Sequence, residues 1–227
     1  MYKRQVPFAL VGAFAAMYTY LTPDSNPPLR LVYERSIKLS VVLLMPLTVA
    51  FIVLAEPICR LIYGPEFASA ALPLQLMGPG VLLIGFVTLT TSLLVSRGDP
   101  RRMASLSGIM VVANVALNFI LIPPLGVPGA AAAITATEVV FAAWIAHRAV
   151  RMVGKIEWLQ ATVGALAGGL AMAAVAIPLH NSLAAALAAG LLAYLAALLA
   201  VDRLVNPRDV AFVMGMVRRR LPPRSST

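Results

Sequence analysis

Residues 158–201 read WLQATVGALAGGLAMAAVAIPLHNSLAAALAAGLLAYLAALLAV, a stretch without a single Asp, Glu, Lys or Arg. A bilayer core of about 30 Å is crossed by about 20 apolar residues in a helix, so this run predicts two spans folded back at a turn. The uncharged run 69–96 predicts one more span, and 103–137 predicts one span and much of another. Of the 227 residues only 12% are charged, and the mean hydropathy is +0.88. A soluble domain keeps roughly a quarter of its residues charged, because its surface meets water. The fold class expected is therefore all-α: a polytopic helical membrane protein.

Working outward, the chain divides into about seven spans: 6–21, 39–63, 68–96, 103–122, 127–147, 157–178 and 182–201. The first is short for a full crossing. Residues 22–28 form a loop, and 29–38 read as a short amphipathic interfacial helix carrying Arg30, Glu34, Arg35 and Lys38. Pro123, Pro124 and Gly126 predict the end of the 103–122 helix, since proline removes a donor and glycine tolerates open dihedrals. A basic tail occupies 202–227.

Basic residues mark every second connection. Arg30, Arg35 and Lys38 follow the first span, Arg97, Arg101 and Arg102 the third, and Arg148, Arg151 and Lys155 the fifth. The tail adds Arg203, Arg208, Arg218, Arg219, Arg220 and Arg224, while the intervening gaps hold none apart from Arg60. The positive-inside rule places these connections and the C-terminus in the cytoplasm. Lys3 and Arg4 fall on the other side. MYKRQ at 1–5 resembles a sequencing-library adapter read through as protein, which would make 6–21 the remainder of a longer helix. The alternative is a signal peptide with Ala13, Ala15 and Ala16 at its cleavage region, leaving six spans in the same orientation.

A net charge of +9 raises nucleic acid as a partner, but the cations sit in short loops and are not interleaved with aromatic residues. Cys59, alone, allows no internal disulfide and no Cys-rich metal site. No Walker loop, HExxH pair or nucleophile motif is present, so neither a catalytic residue, a metal nor a cofactor is expected.

The informative polar residues lie inside spans. A charge at the bilayer centre costs about 2.5–3.5 kcal/mol, so Glu138 is the candidate for a coupling-proton or cation site, the alternative being a structural hydrogen bond to a neighbouring helix. Asn114 and Asn118 share one helix face, as do Glu56 and Arg60, and both pairs read as polar packing contacts. Gly78, Pro79 and Gly80 interrupt the third span and are hinge candidates.

In order and spacing, several motifs resemble a known family: LAEPI at 54–58, RLIYGPEF at 60–67, AALPLQL at 70–76, GDPR at 98–101 and NVALN at 114–118. Pro46, Pro123, Gly126 and Gly129 continue the series. Together they look like the polysaccharide-biosynthesis C-terminal region, covering about 39–150, with two additional helices in 151–201. The resemblance implies the polysaccharide-transporter, O-antigen-type branch of the superfamily that also holds multidrug extrusion pumps and lipid II flippases. It implies two lobes and fourteen helices, of which this chain would be the C-terminal lobe, with the N-terminal lobe missing.

The activity so implied is export of an undecaprenyl-pyrophosphate-linked glycan across the bacterial inner membrane. Arg30 and Arg35 are then cavity-mouth cations for the diphosphate, or simply solvated topology markers. Two rivals remain. A drug/cation antiporter of the sister branch would want acidic cavity residues, and a non-transporting membrane partner or inert truncated product would need no cavity.

Overall fold

The computed structural model describes residues 29–97, 100–156 and 158–205. The described chain is an all-α polytopic membrane protein with no strand among those residues. Its helices are α1 (Leu29–Val53), α2 (Ala55–Tyr63), α3 (Ala71–Arg97), α4 (Pro100–Leu125), α5 (Val127–Val153), α6 (Trp158–Ala176) and α7 (Leu183–Val205), with a 3₁₀ segment at Pro65–Ala70. Among the described residues five segments are long and apolar enough to cross a membrane, and α6 adds the shorter run Thr162–Ala176. The expected span 6–21, the segment 1–5, the loop 22–28 and the tail from 206 lie outside the described residues, as do Gly98, Asp99 and Glu157.

Prolines decide where the spans differ from expectation. The interfacial helix 29–38 and the span 39–63 are divided differently: one helix, α1, joins the first to most of the second and stops at Leu54. Pro57 has no N–H for the Val53 carbonyl and its ring crowds that oxygen, so the chain kinks one residue later. Leu54 sits there at φ −108°, ψ 20°, fully buried. Pro46 leaves the same defect at Val42, yet α1 continues. The Tyr194 hydroxyl of α7 donates to the Val42 carbonyl at 2.7 Å and replaces the missing bond. Tyr194→Phe is therefore expected to cost about 1–2 kcal/mol, because it strands a buried carbonyl as well as deleting a contact. Thermal melting of the purified protein in detergent, compared with the exposed Tyr63→Phe, measures this.

The 68–96 span becomes the 3₁₀ segment followed by α3, with Pro73 in the first helical turn, where its missing N–H is harmless. At Gly78, Pro79 and Gly80 the helix runs on unbroken, so the expected interruption is a close-packing site instead. α4 carries Pro123 and Pro124 within its last turn and ends at Leu125, three residues past the expected stop. Gly126 alone joins it to α5, at φ 63°, a conformation that a side chain would strain. α7 extends past 201 to Val205, which puts Asp202 and Arg203 on the helix rather than in the tail.

The helices pack in a sequence of neighbours: α7 on α6, α6 on α1, α1 on α3, α3 on α5, and α5 on α4. α1 and α3 hold the core, with Tyr33, Ile37, Leu89 and Leu93 buried between them. The Tyr33 hydroxyl lies 2.7 Å from Thr90 Oγ1, and Trp158 on α6 makes edge-to-face contacts with both Tyr33 and Phe86. α6 meets α7 through glycines: Gly168 lies against Tyr194, and Gly164 against Asp202 and Leu198. Small residues let backbones approach where lipid gives no hydrophobic drive to associate.

Two contacts relate the basic connections to one another. Lys38 Nζ of α1 pairs with Asp202 Oδ2 of α7 at 3.1 Å, both largely buried. Arg102 of α4 and Arg148 of α5 line one groove. Each brings together connections far apart in sequence.

Candidate functional site: the Glu138 polar strip

α5 carries a polar strip at mid-span, and the sequence TATE at 135–138 builds it. Thr135 Oγ1 donates to the Leu76 carbonyl of α3 at 2.8 Å, one turn before Gly80. Thr137 faces the other neighbour: Asn114 Nδ2 of α4 donates to Thr137 Oγ1 at 3.2 Å, and Thr137 itself donates to the Ala133 carbonyl at 2.7 Å. Such bonds bind helices where no water competes.

Glu138 lies between these anchors and is half-buried. Its carboxylate occupies the notch left by Gly80. A Cβ at Gly80 would lie 2.7 Å from Glu138 Oε2. Among the described residues the carboxylate has no hydrogen-bond or ion-pair partner, unlike every neighbouring polar group in the strip. Gly80 and Glu138, separate candidates in the sequence, are thus one site: the glycine makes room and the acid fills it. Gly78 serves a different contact, against Ile52 and the Thr48 carbonyl of α1.

The other candidates fall elsewhere. Asn114 bridges α4 to α5, whereas Asn118 donates to Asn114 Oδ1 and to its carbonyl within the same helix. Glu56 and Arg60 pair at 2.6 Å on α2, exposed and within a single helix, so they do not join two helices. Arg30 Nε donates to Glu34 Oε1 at 2.8 Å, one turn on within α1. Arg35 is exposed on the same segment. Thr135, Thr137 and Asp202 were not marked by sequence pattern. Three polar side chains within four mid-span residues is the signal that would have found the first two. The Lys38–Asp202 pair joins positions too far apart in sequence for any local pattern.

A family model described as Lipid II flippase MurJ matches residues 12–198. The chain belongs to the lipid II flippase family. The match begins inside the expected 6–21 span and ends within α7, so the helices after residue 150 fall in it together with the motif-bearing region. A comparison with curated proteins finds no match. Membership in this family makes the chain one of the flippases of lipid-linked intermediates, within the superfamily that the motifs at 54–118 point to. The match does not reach the O-antigen-type branch expected. Those motifs are chiefly turn and packing residues, such as Gly64, Pro65 and the Asn114–Asn118 pair, which carry architecture and not the identity of a glycan.

Proposed function

We propose that this chain forms a lobe of a flippase that carries lipid II across the bacterial inner membrane, with Glu138 as its proton- or cation-coupling group. The family match over 12–198 is the observation that carries the substrate class. Supporting the coupling role is a carboxylate held mid-span in the Gly80 notch, with its neighbours' bonds made and its own unmade. A group so placed has an energetic reason to take up a proton or cation. In this proposal Arg30 and Arg35 meet the diphosphate head group, a second lobe completes the cavity, and the basic connections and C-terminus face the cytoplasm. Transport, with no bond made or broken in the substrate, is the proposed activity.

The O-antigen-type reading keeps one point in its favour, the motif series over 39–150. Depleting the protein from its native locus separates the alternatives. Lipid II is expected to accumulate on the inner leaflet and to become inaccessible to a probe added outside. Accumulation of an undecaprenyl-linked O-unit, with lipid II still reaching the outer leaflet, would transfer the chain to polysaccharide export. Reduced tolerance of cationic drugs with neither lipid affected would favour the antiporter.

A further inference from the structure

Away from Glu138, the start of α4 and the end of α5 enclose a groove of about 330 Å³, lined by Arg102, Ser105, Leu106, Ile109, Trp144 and Arg148. We propose that this groove binds an anionic phospholipid of the surrounding bilayer. Its lining is divided by chemistry. Two guanidinium groups and a hydroxyl occupy the polar part, while Leu106, Ile109 and the indole form an apolar wall. The Arg148 guanidinium lies 5.3 Å from the centroid of the Trp144 ring, which orients it and leaves its donors for an anion. Arg102 has other contacts as well, and its charge still lines the groove.

The level in the membrane is that of a head group. Arg102 is in the first turn of α4 and Arg148 in the last turns of α5, where apolar spans give way to charged connections. Tryptophan is enriched at that depth, and basic pockets between helices at an interface bind anionic head groups.

A bilayer lipid is the occupant that the surroundings favour. Among the described residues only α4 and α5 contribute to the groove, and α4 is the least covered of the described spans, its window 6% buried. Ile109 continues the groove wall onto an exposed apolar surface that includes Val112, Phe119 and Ile120. An acyl chain leaving the groove would follow that surface. The volume lies at the lower end of the range for small-ligand sites, which suits a glycerol phosphate better than a glycan-bearing diphosphate.

The test uses the full chain purified in detergent, with lipid retention read by native mass spectrometry. Phosphatidylglycerol is expected to be retained and phosphatidylethanolamine released. Arg102→Gln combined with Arg148→Gln should weaken phosphatidylglycerol retention roughly tenfold or more. Arg101→Gln combined with Arg151→Gln removes the same charge from the same helices outside the groove and should change retention little. Equal loss in both double variants, equal retention of the two lipids, or displacement of phosphatidylglycerol by undecaprenyl diphosphate would each overturn the assignment. A second measurement does not depend on the arginine variants. The chain has two tryptophans, so Trp158→Phe leaves Trp144 as the sole reporter. Phosphatidylglycerol should shift its emission; a matching shift with inorganic phosphate alone, or none with phosphatidylglycerol, refutes the lipid site.

Discussion

Glu138→Gln, introduced at the native locus, is expected to lower translocation of the lipid-linked substrate roughly tenfold or more while leaving the amount of membrane-inserted protein unchanged. The two side chains are nearly isosteric, so the Gly80 notch stays filled and the α3–α5 contact stays closed. A purely structural acid predicts unchanged translocation, because removing a mid-span charge that has no described partner should leave the fold as stable or more so. Translocation in inverted membrane vesicles and protein abundance by immunoblot separate the two accounts. Gly80→Ala provides an independent check. Its Cβ would meet the mobile end of Glu138 rather than backbone, so the carboxylate moves while the helices keep their places. Transport at the parental rate in both variants would remove Glu138 from the mechanism.

The largest stability effect is expected at the α4–α5 hairpin. With Gly126 as the only linking residue, the two helices meet at once, and Gly129 faces the backbone of α4. A Cβ there would be driven into the Leu121 carbonyl, and backbone cannot swing aside as a side chain can. Gly129→Val should therefore cost about 3 kcal/mol, at the upper end of overpacking penalties. It would appear as a lowered Tm and reduced yield of folded protein from membranes. Gly108, also on α4, has open space around its Cβ position. Gly108→Ala should leave stability unchanged or raise it by up to about 1 kcal/mol through helix propensity. Similar behaviour of the two variants would mean that the hairpin is looser than described.

The apolar runs made the spans legible, because a bilayer imposes a length that composition alone reveals. Break positions were not legible. Pro46, Pro57 and Pro79 all lie inside expected spans, yet only the chain before Pro57 kinks. At Pro46 the difference is a hydroxyl donated from Tyr194, 152 residues away in the chain. No window over the sequence contains that partner. Half of the site was readable for the same reason: an acid in mid-span stands out on cost, whereas its pairing with Gly80 depends on how α3 and α5 dock. The Arg102–Arg148 groove was visible only as two topology markers, since loop counting does not say which loops touch.

The kink at Leu54 bears on how deep the bundle sits. At 1.5 Å per residue, the 25 residues of α1 extend about 37 Å, slightly more than the hydrocarbon thickness. That length is expected to bring α2 near one boundary, with Leu61, Ile62 and Tyr63 uncovered beside the Glu56–Arg60 pair. Those apolar groups are expected to enter the acyl region while the ion pair stays with the head groups, which would make α2 a buoy. In a thicker membrane the surplus length of α1 would shrink, and the tilt that accommodates it would shrink with it.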